Sequence, residues 1–297
     1  MKRPRLMLMI GPPGSGKTTF AESYISTRPN TIHLSSDKIR KELWVDEATQ
    51  GDNNEVFSLM QSRAIEALNN GSDVIYDSTA MTRKDRAGII NMCHKFAIVE
   101  AIVMWAPIEV CIERDAARER TVGKEVIDRM LKRFQAPYYD EGFDEINILI
   151  PDGFDKFEYT KNVIQSLKIP HDNPHHEYDV DKHCMTAGCY IYNNDPTDYI
   201  LWMAATYHDI GKAYTKEFVD GKGNPSEHAH YYQHQCIGAW QSYGMTMPDE
   251  KQSTIIDVAW LISVHMDAYL NTKYYNKLPA YLKQKVDLLH EADRNAH

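Results

Sequence analysis

The sequence is poor in the features that would send it to a membrane, an oxidising compartment or a polyanion. Its longest apolar runs, such as 98–106, are far too short to cross a bilayer, and Glu100 interrupts that one. The opening "MKRPRLMLMIGPPG" sets basic residues before an apolar stretch, as a signal peptide does. That stretch is short and runs straight into a glycine-rich loop, so a first β-strand explains it better. The five cysteines, Cys93, Cys111, Cys184, Cys189 and Cys236, form no CxxC pair and are odd in number. Reduced, mostly buried thiols and a cytoplasmic protein are expected. Basic charge is also short. A net charge of −9 argues against a broad electrostatic footprint for nucleic acid. A small basic groove remains open on Arg114, Arg118, Arg120, Lys124, Arg129, Lys132 and Arg133, although interleaved acids equally suit a solvated helical face. No internal repeat or low-complexity tract is present.

What is present is ordinary globular composition, 43% hydrophobic and 25% charged, in 297 residues, a length that suits two domains. From 6 to about 150, short apolar runs alternate with amphipathic ones. "RLMLMIG", "TIHLSSD", "SDVIYDST" and "AIVEAIVMWA" read as strands. Helices are expected over 17–25, within 38–67, near 83–95, over 108–120 and over 124–134. Strands alternating with helices imply a parallel sheet covered on both faces. Near 168 the texture changes: "KIPHDNPHHEYD" reads as a connection. Beyond it strand-like alternation largely disappears, and 179–192, 197–207, 228–243, 251–266 and 279–296 suit helices, with "DGKGNPSEH" as a polar loop. The expected layout is an α/β domain over 1–165 and an all-α helical domain over 171–297.

Two motifs carry chemistry. "GPPGSGKT" fits G-x-x-x-x-G-K-[ST] and lies between a strand and a helix, as phosphate binding requires. Gly11, Gly14, Ser15, Gly16, Lys17, Thr18 and Thr19 form the expected site for ATP or another NTP. Lys17 can reach the β and γ phosphates, and the Thr18 hydroxyl can hold Mg²⁺. Asp37, in "SSDKIR", falls at a strand's carboxyl end, where open α/β sheets bind ligands. There it can take the proton of an attacking hydroxyl, or it can simply cap a helix. Arg40, one turn on, can hold an acceptor phosphate. Asp77, in "YDSTAMTRKDR", can orient Mg²⁺ or the acceptor, or serve as a turn residue. Arg114, Arg118 and Arg120, in "ERDAARER", can supply the cation that phosphoryl transfer needs, or pair with their own neighbours.

With "GPPGSGKTT", "SSDKIR", "VIYDSTAMTRKDR", "ERDAARERT" and "VIDRMLKRFQAP" in this order, residues 5–150 resemble the kinase domain of polynucleotide 5′-kinases, a P-loop kinase fold. The resemblance implies that Asp37 is the general base and that Arg40 contacts the acceptor phosphate. It puts the lid arginine at Arg118, with Arg114 or Arg120 as alternatives.

The second motif is "HDIGK", in which His208 and Asp209 are adjacent side chains able to share one metal. Imidazole with carboxylate suits Mn, Fe, Co, Ni, Zn or Mg. Further candidates are His183, His234, His265 and Asp293, each on a helical segment with apolar neighbours. His228 and His230 compete with His234, and Asp267 competes with His265. His175 and His176 either line the cleft or lie in the connection. The pattern, with "NPHHEYDVDKH" and "YYQHQCIGA", resembles the HD phosphohydrolase superfamily over 171–297, especially HD domains found beside tRNA nucleotidyltransferases. The resemblance implies that His183, His208, Asp209 and Asp293 hold one metal, that Asp209 is catalytic, and that His234 and His265 hold a second metal or meet the scissile phosphate. It implies that Lys212 pairs with substrate phosphate.

Broken RNA explains the pairing of motifs. Many ribonucleases leave a 5′-hydroxyl and a 2′,3′-cyclic phosphate, while ligation needs a 5′-phosphate and a free 3′ end. The expected function is bifunctional RNA end healing, acting on RNA or DNA ends without a membrane. No nucleotidyltransferase or ligase module is visible, so sealing needs a separate ligase. The rivals are a small-molecule or nucleoside kinase fused to a nucleotide phosphohydrolase, and an ATP-gated HD phosphohydrolase.

Overall fold

The computed structural model describes residues 3–44, 53–174 and 178–296. The chain divides into two compact units, Met1–Ile127 with Pro137–Pro151, and Asp128–Ala136 with Asp152–His297. Among the described residues no helix is long and apolar enough to cross a membrane.

The first unit is built on β1 (Arg5–Ile10), β2 (Thr31–Ser35), β3 (Asp73–Asp77), β4 (Ile98–Met104) and β5 (Glu145–Leu149), in the order β2-β3-β1-β4-β5. All pairings are parallel. The middle strand, β1, is buried from Leu6 to Ile10, which is why it reads as an unbroken apolar run rather than an alternation. Its helices are α1 (Lys17–Ser26), α2 (Ser36–Trp44), α3 (Asn53–Asn69), α4 (Arg83–Cys93), α5 (Ile108–Ala116) and α6 (Lys124–Leu131), the last running across the unit boundary. Thr82 and Asp85 close a reciprocal capping box that starts α4. The five-stranded parallel sheet with its glycine-rich loop and flanking helices fits a P-loop kinase fold.

Three details depart from expectation. β5 adds a fifth strand to the four expected ones, and its "EINIL" alternates half-buried and buried positions as an edge strand does. The helix expected over 108–120 stops at Ala116. There the buried Asp115 carboxylate turns the chain back, accepting from the Val122 and Gly123 N–H groups at 3.0 and 2.9 Å. The boundary expected at 165 falls at 151, because α7 (Lys156–Ser166) is tied to the helical unit. The Thr160 hydroxyl accepts from the Thr246 N–H at 2.8 Å, and Lys156 pairs with Glu250 at 2.7 Å.

The second unit adds α8 (Val180–Asn194), α9 (Tyr199–Tyr207), α10 (Lys212–Thr215), α11 (His234–Ser242), α12 (Gln252–Tyr269) and α13 (Ala280–Arg294). Its core lies along α12, where Ile256, Trp260 and Ile262 are fully enclosed. Each such side chain contributes about 1.5–3 kcal/mol by leaving water. Segment 128–136 packs into this core: Phe134 meets Trp240 and Tyr243 edge-on at 5.3 and 6.0 Å. The unit is not all-α. β6 (Glu217–Val219) and β7 (Pro225–His230) form an antiparallel hairpin where a plain loop and the start of a helix were expected. Its turn is closed by Asp220, whose carboxylate accepts from the N–H groups of Lys222 and Asn224, both at 2.8 Å, with Gly223 at a φ of 86°.

Candidate nucleotide and metal sites

The loop after β1 wraps on itself. Lys17 donates its ammonium to the Gly11 and Pro12 carbonyls, both at 2.8 Å. Lys17 is half-buried with its ammonium inside the loop, and burial pushes its pKa down to about 8 against the opposing pull of Asp77. Gly14 sits at a φ of 79°, and a Cβ there would overlap the Cys111 carbonyl, so only glycine lets the loop close on α5. The Ser15 hydroxyl is buried without a partner, a donor available to a phosphate oxygen. Thr19, the third residue of α1, is exposed.

Asp77 ends β3 and is buried. Its Oδ2 accepts from the Thr18 hydroxyl at 3.1 Å and from His33 Nε2 at 3.0 Å. Hydroxyl and carboxylate oxygens side by side suit a hard cation such as Mg²⁺. Asp37 lies in the first turn of α2, just beyond β2, with its side chain 60% exposed. Arg40 donates to it at 3.0 Å and to Asn53 at 2.9 Å, so this guanidinium is held by protein groups. β2, β3 and β1 are neighbours, so Asp37, Asp77 and the glycine-rich loop stand in a row along one edge of the sheet. Arg118 lies just past α5, exposed and 3.9 Å from Asp115, and its charge helps depress the Lys17 amine. Arg114 lies on the exposed side of α5.

The second site gathers side chains from five helical elements. His183 (α8), His208 and Asp209 (just after α9) and Asp293 (α13) place ligand atoms within 4.8 Å of one another, and so do Asp209, His234 (α11) and His265 (α12). Asp209 belongs to both groups. Its Oδ2 lies 3.2 Å from His208 Nε2 and 3.4 Å from His183 Nε2, and its Oδ1 lies 3.0 Å from His234 Nε2. His228 is exposed and His230 bonds Ser226, so neither takes the place of His234; Asp267 is also outside the cluster. His175 and His176 lie outside the described residues.

The four histidines share one hydrogen-bonding plan. Each Nδ1 faces a backbone carbonyl: His183 meets Ala296 at 2.9 Å, His208 meets Ala205 at 2.7 Å, His234 meets Tyr231 at 2.8 Å and His265 meets Ile262 at 2.8 Å. A carbonyl only accepts, so each Nδ1 carries hydrogen and each neutral ring turns a bare Nε2 lone pair inward. These lone pairs then meet, His183 to His208 at 3.2 Å and His234 to His265 at 3.1 Å. Facing lone pairs repel unless a metal ion or a proton lies between them, and the raised pKa of His208 describes the second case. Carbonyl-anchored Nδ1 atoms behind inward Nε2 atoms are the arrangement found around metal-ligating histidines. The mixed nitrogen and oxygen donors therefore fit one or two divalent transition-metal ions, and Asp209 is common to both groups that would hold them.

Electrostatics follows the same lines. Burial penalises the His208 imidazolium, but Asp209 and Asp293 outweigh it and hold its pKa well above the usual histidine range. Burial likewise opposes the Asp209 carboxylate, and His208 and Lys212 overcome it, holding its pKa well below the usual range. His265, buried first of all and then set against His234 and His208, is pushed down to about 3. Lys212 is buried and ion-paired with Asp209 Oδ2 at 2.6 Å, so it points at the cluster rather than outward. Gly211 makes the close approach possible, because a Cβ there would overlap the His234 carbonyl.

The family described as AAA domain matches residues 6–137. Among curated proteins the chain is similar to transcription factor bHLH140 of Arabidopsis thaliana, 28% identical over 148 residues, which cover 48% of this chain and 15% of that protein. It is similar to L-seryl-tRNA(Sec) kinase of Methanococcus maripaludis, 25% identical over 187 residues, 60% of this chain and 70% of that one. A third relative is the "Putative bifunctional polynucleotide phosphatase/kinase" of Acanthamoeba polyphaga mimivirus, 29% identical over 156 residues, 49% of this chain and 33% of that one. Among solved structures it overlaps the Pnkp1/Rnl/Hen1 RNA repair complex at 22% identity and a TM-score of 0.42, covering 45% of this chain and 44% of that chain. A fungal RNA kinase overlaps at 16% identity and a TM-score of 0.34, covering 49% and 73%. The chain spans well under two thirds of bHLH140, of the mimivirus protein and of the repair-complex chain.

Two residues of these sites carried no usable sequence signal. His33 is a single histidine in a strand. His171 is one of three histidines in the connection, yet it is buried, with Nδ1 2.5 Å from the Tyr178 carbonyl and Nε2 3.2 Å from Lys212 Nζ. Burial, with Lys212 beside it, pushes His171 down to about 4, so its neutral ring accepts from the ammonium.

Proposed function

We propose that the chain heals broken nucleic-acid ends with two activities: an ATP-dependent kinase acting on 5′-hydroxyl RNA ends, and a metal-dependent phosphohydrolase acting on 3′-phosphate or 2′,3′-cyclic phosphate ends. The observation that carries the kinase half is the row of Asp37, Asp77 and Lys17-Thr18 along the carboxyl edge of three neighbouring strands. In this reading Lys17 leaves the Gly11 and Pro12 carbonyls for the β and γ phosphates, and Ser15, Thr19 and the loop N–H groups complete the cradle. Mg²⁺ held by Thr18 and Asp77 supplies charge neutralisation at the phosphates. Asp37, exposed where an acceptor can reach it, takes the proton of the attacking hydroxyl. Arg40 orients the acceptor's phosphate, and Arg118 faces the transferring group. The names of the Methanococcus and mimivirus relatives, a seryl-tRNA kinase and a polynucleotide phosphatase/kinase, support a nucleic-acid acceptor.

The hydrolase half rests on the histidine plan. His183, His208, Asp209 and Asp293 hold one divalent ion, and Asp209, His234 and His265 hold a second. Such ions would supply an activated water and a polarised phosphoryl oxygen. Lys212, whose ammonium lies 2.6 Å from Asp209 beside the cluster, would meet the substrate phosphate. Sealing falls to a separate ligase, and the reactions belong in the cytoplasm. The acidic net charge favours a smaller acceptor, and one experiment separates the readings. Transfer of label from γ-labelled ATP is measured to a 5′-hydroxyl RNA oligonucleotide, a matched DNA and free nucleosides, with Asp37→Ala beside wild type. Labelled RNA that vanishes in Asp37→Ala is the expected result. Label on nucleosides alone would replace the repair reading with a small-molecule kinase.

A further inference from the structure

The kinase reading leaves His33 unused. It lies on β2, in register with Ile75 of β3, and its side chain is only 3% exposed. Its Nε2 lies 3.0 Å from Asp77 Oδ2, the same oxygen that accepts from the Thr18 hydroxyl at 3.1 Å. Its other ring nitrogen, Nδ1, is buried without a hydrogen-bond partner. An orphaned buried nitrogen costs stability, and a leucine or phenylalanine on this strand would avoid that cost. The imidazole is therefore poor packing but a well-aimed donor. With no partner at Nδ1, the hydrogen of the neutral ring belongs on Nε2, where the carboxylate accepts it.

We propose that His33 is a positioning residue of the nucleotide site. Its Nε2–H fixes the Asp77 carboxylate against the Thr18 hydroxyl and thereby sets how tightly the site holds a divalent cation beside the nucleotide. The inference rests on the kinase reading for the site's purpose, but it concerns cation binding alone. Without His33, Asp77 keeps one anchor and its carboxylate turns about the Thr18 contact. Loss of an outer hydrogen bond to a metal-binding carboxylate weakens metal affinity by roughly 10–100-fold.

The test uses Mn²⁺ as probe. Free Mn²⁺ is followed by electron paramagnetic resonance while the full-length protein, saturated with a non-hydrolysable ATP analogue, is titrated. His33→Asn keeps a polar amide but falls short of Asp77, whereas His33→Gln carries its amide N–H to the place of Nε2. The expected result is Mn²⁺ affinity about tenfold weaker in His33→Asn and within about threefold of wild type in His33→Gln. His33→Leu is expected to match the weak binding of His33→Asn while unfolding at no lower temperature than wild type. Equal Mn²⁺ affinity in wild type, His33→Asn and His33→Gln overturns the proposal. Weak binding in both variants also overturns it, since the role is then packing rather than donation. Because no acceptor is present, these results stand apart from the oligonucleotide assay: unlabelled RNA would end the end-healing reading and leave the His33 result intact.

Discussion

The nucleotide cradle takes Gly11 to Thr18 from one unbroken stretch, whereas the histidine–aspartate cluster collects side chains from five helical elements between His183 and Asp293. In the cradle the chemistry lies largely in backbone N–H groups and one lysine, and glycines set the curvature. In the cluster the chemistry lies in side chains whose aim depends on helix packing, from the carbonyls behind each Nδ1 to the contact of Gly211 with α11. The first kind of site answers to local conformation. The second answers to the fold of the whole helical unit.

That contrast can be broken most sharply at its two centres. Lys17→Ala is expected to lower phosphoryl transfer by at least roughly 10²–10³-fold, the loss seen when one preorganised charge-stabilising donor is removed, with bound metal unchanged by elemental analysis. Asp209→Ala removes the shared carboxylate, so metal content falls at both positions, while affinity for a fluorescent ATP analogue stays at the wild-type value. Asp293→Ala touches one group only and is expected to remove about half of the bound metal. A loss of both ions would show that the two groups are one site.

Two glycines sharpen the same contrast. A Cβ at Gly211 overlaps the His234 carbonyl, so Gly211→Ala is expected to cost about 1–3 kcal/mol of stability in the helical unit, read as a lower denaturant midpoint. A Cβ at Gly14 overlaps the Cys111 carbonyl at a positive φ, so Gly14→Ala is expected to act first on nucleotide affinity. The smallest effect concerns Asp249. A hydrogen bond from Tyr199 at 2.6 Å, with help from the Lys251 N–H and Thr254, holds its carboxyl down to about 2. Its folded pKa lies below the unfolded value of about 3.9, so its stabilising contribution is present above pH 4 and is lost as pH falls through about 2. The difference in melting temperature between wild type and Asp249→Asn is expected at pH 7 and should shrink over that window.

Legibility in the sequence followed the same division. The cradle could be read because its residues are contiguous and sit between a strand and a helix. Asp37 and Asp77 could be read because strand ends face ligands in parallel sheets. His33 could not, because its meaning comes from the pairing of β2 with β3, which brings its ring to Asp77. In the helical half, His208-Asp209 announced itself, but nothing in the spacing of the other histidines indicates which turn inward. The close approach of four Nε2 atoms to Asp209 appears only after α8, α9, α11, α12 and α13 have packed. The β6–β7 hairpin was hidden by its charged and polar residues, although its Asp-Gly-Lys-Gly turn was visible. The attachment of α7 to the helical unit depends on Thr246 and Glu250, more than eighty residues away in sequence.

The most direct test of two separate chemistries in one chain uses an RNA bearing a 5′-hydroxyl at one end and a 2′,3′-cyclic phosphate at the other, incubated with ATP and Mn²⁺. Wild type is expected to convert both ends, Lys17→Ala only the 3′ end, and Asp209→Ala only the 5′ end. If Asp209→Ala still opens or removes the 3′ phosphate, or if either substitution silences both ends, two independent sites of this kind are not what the chain contains.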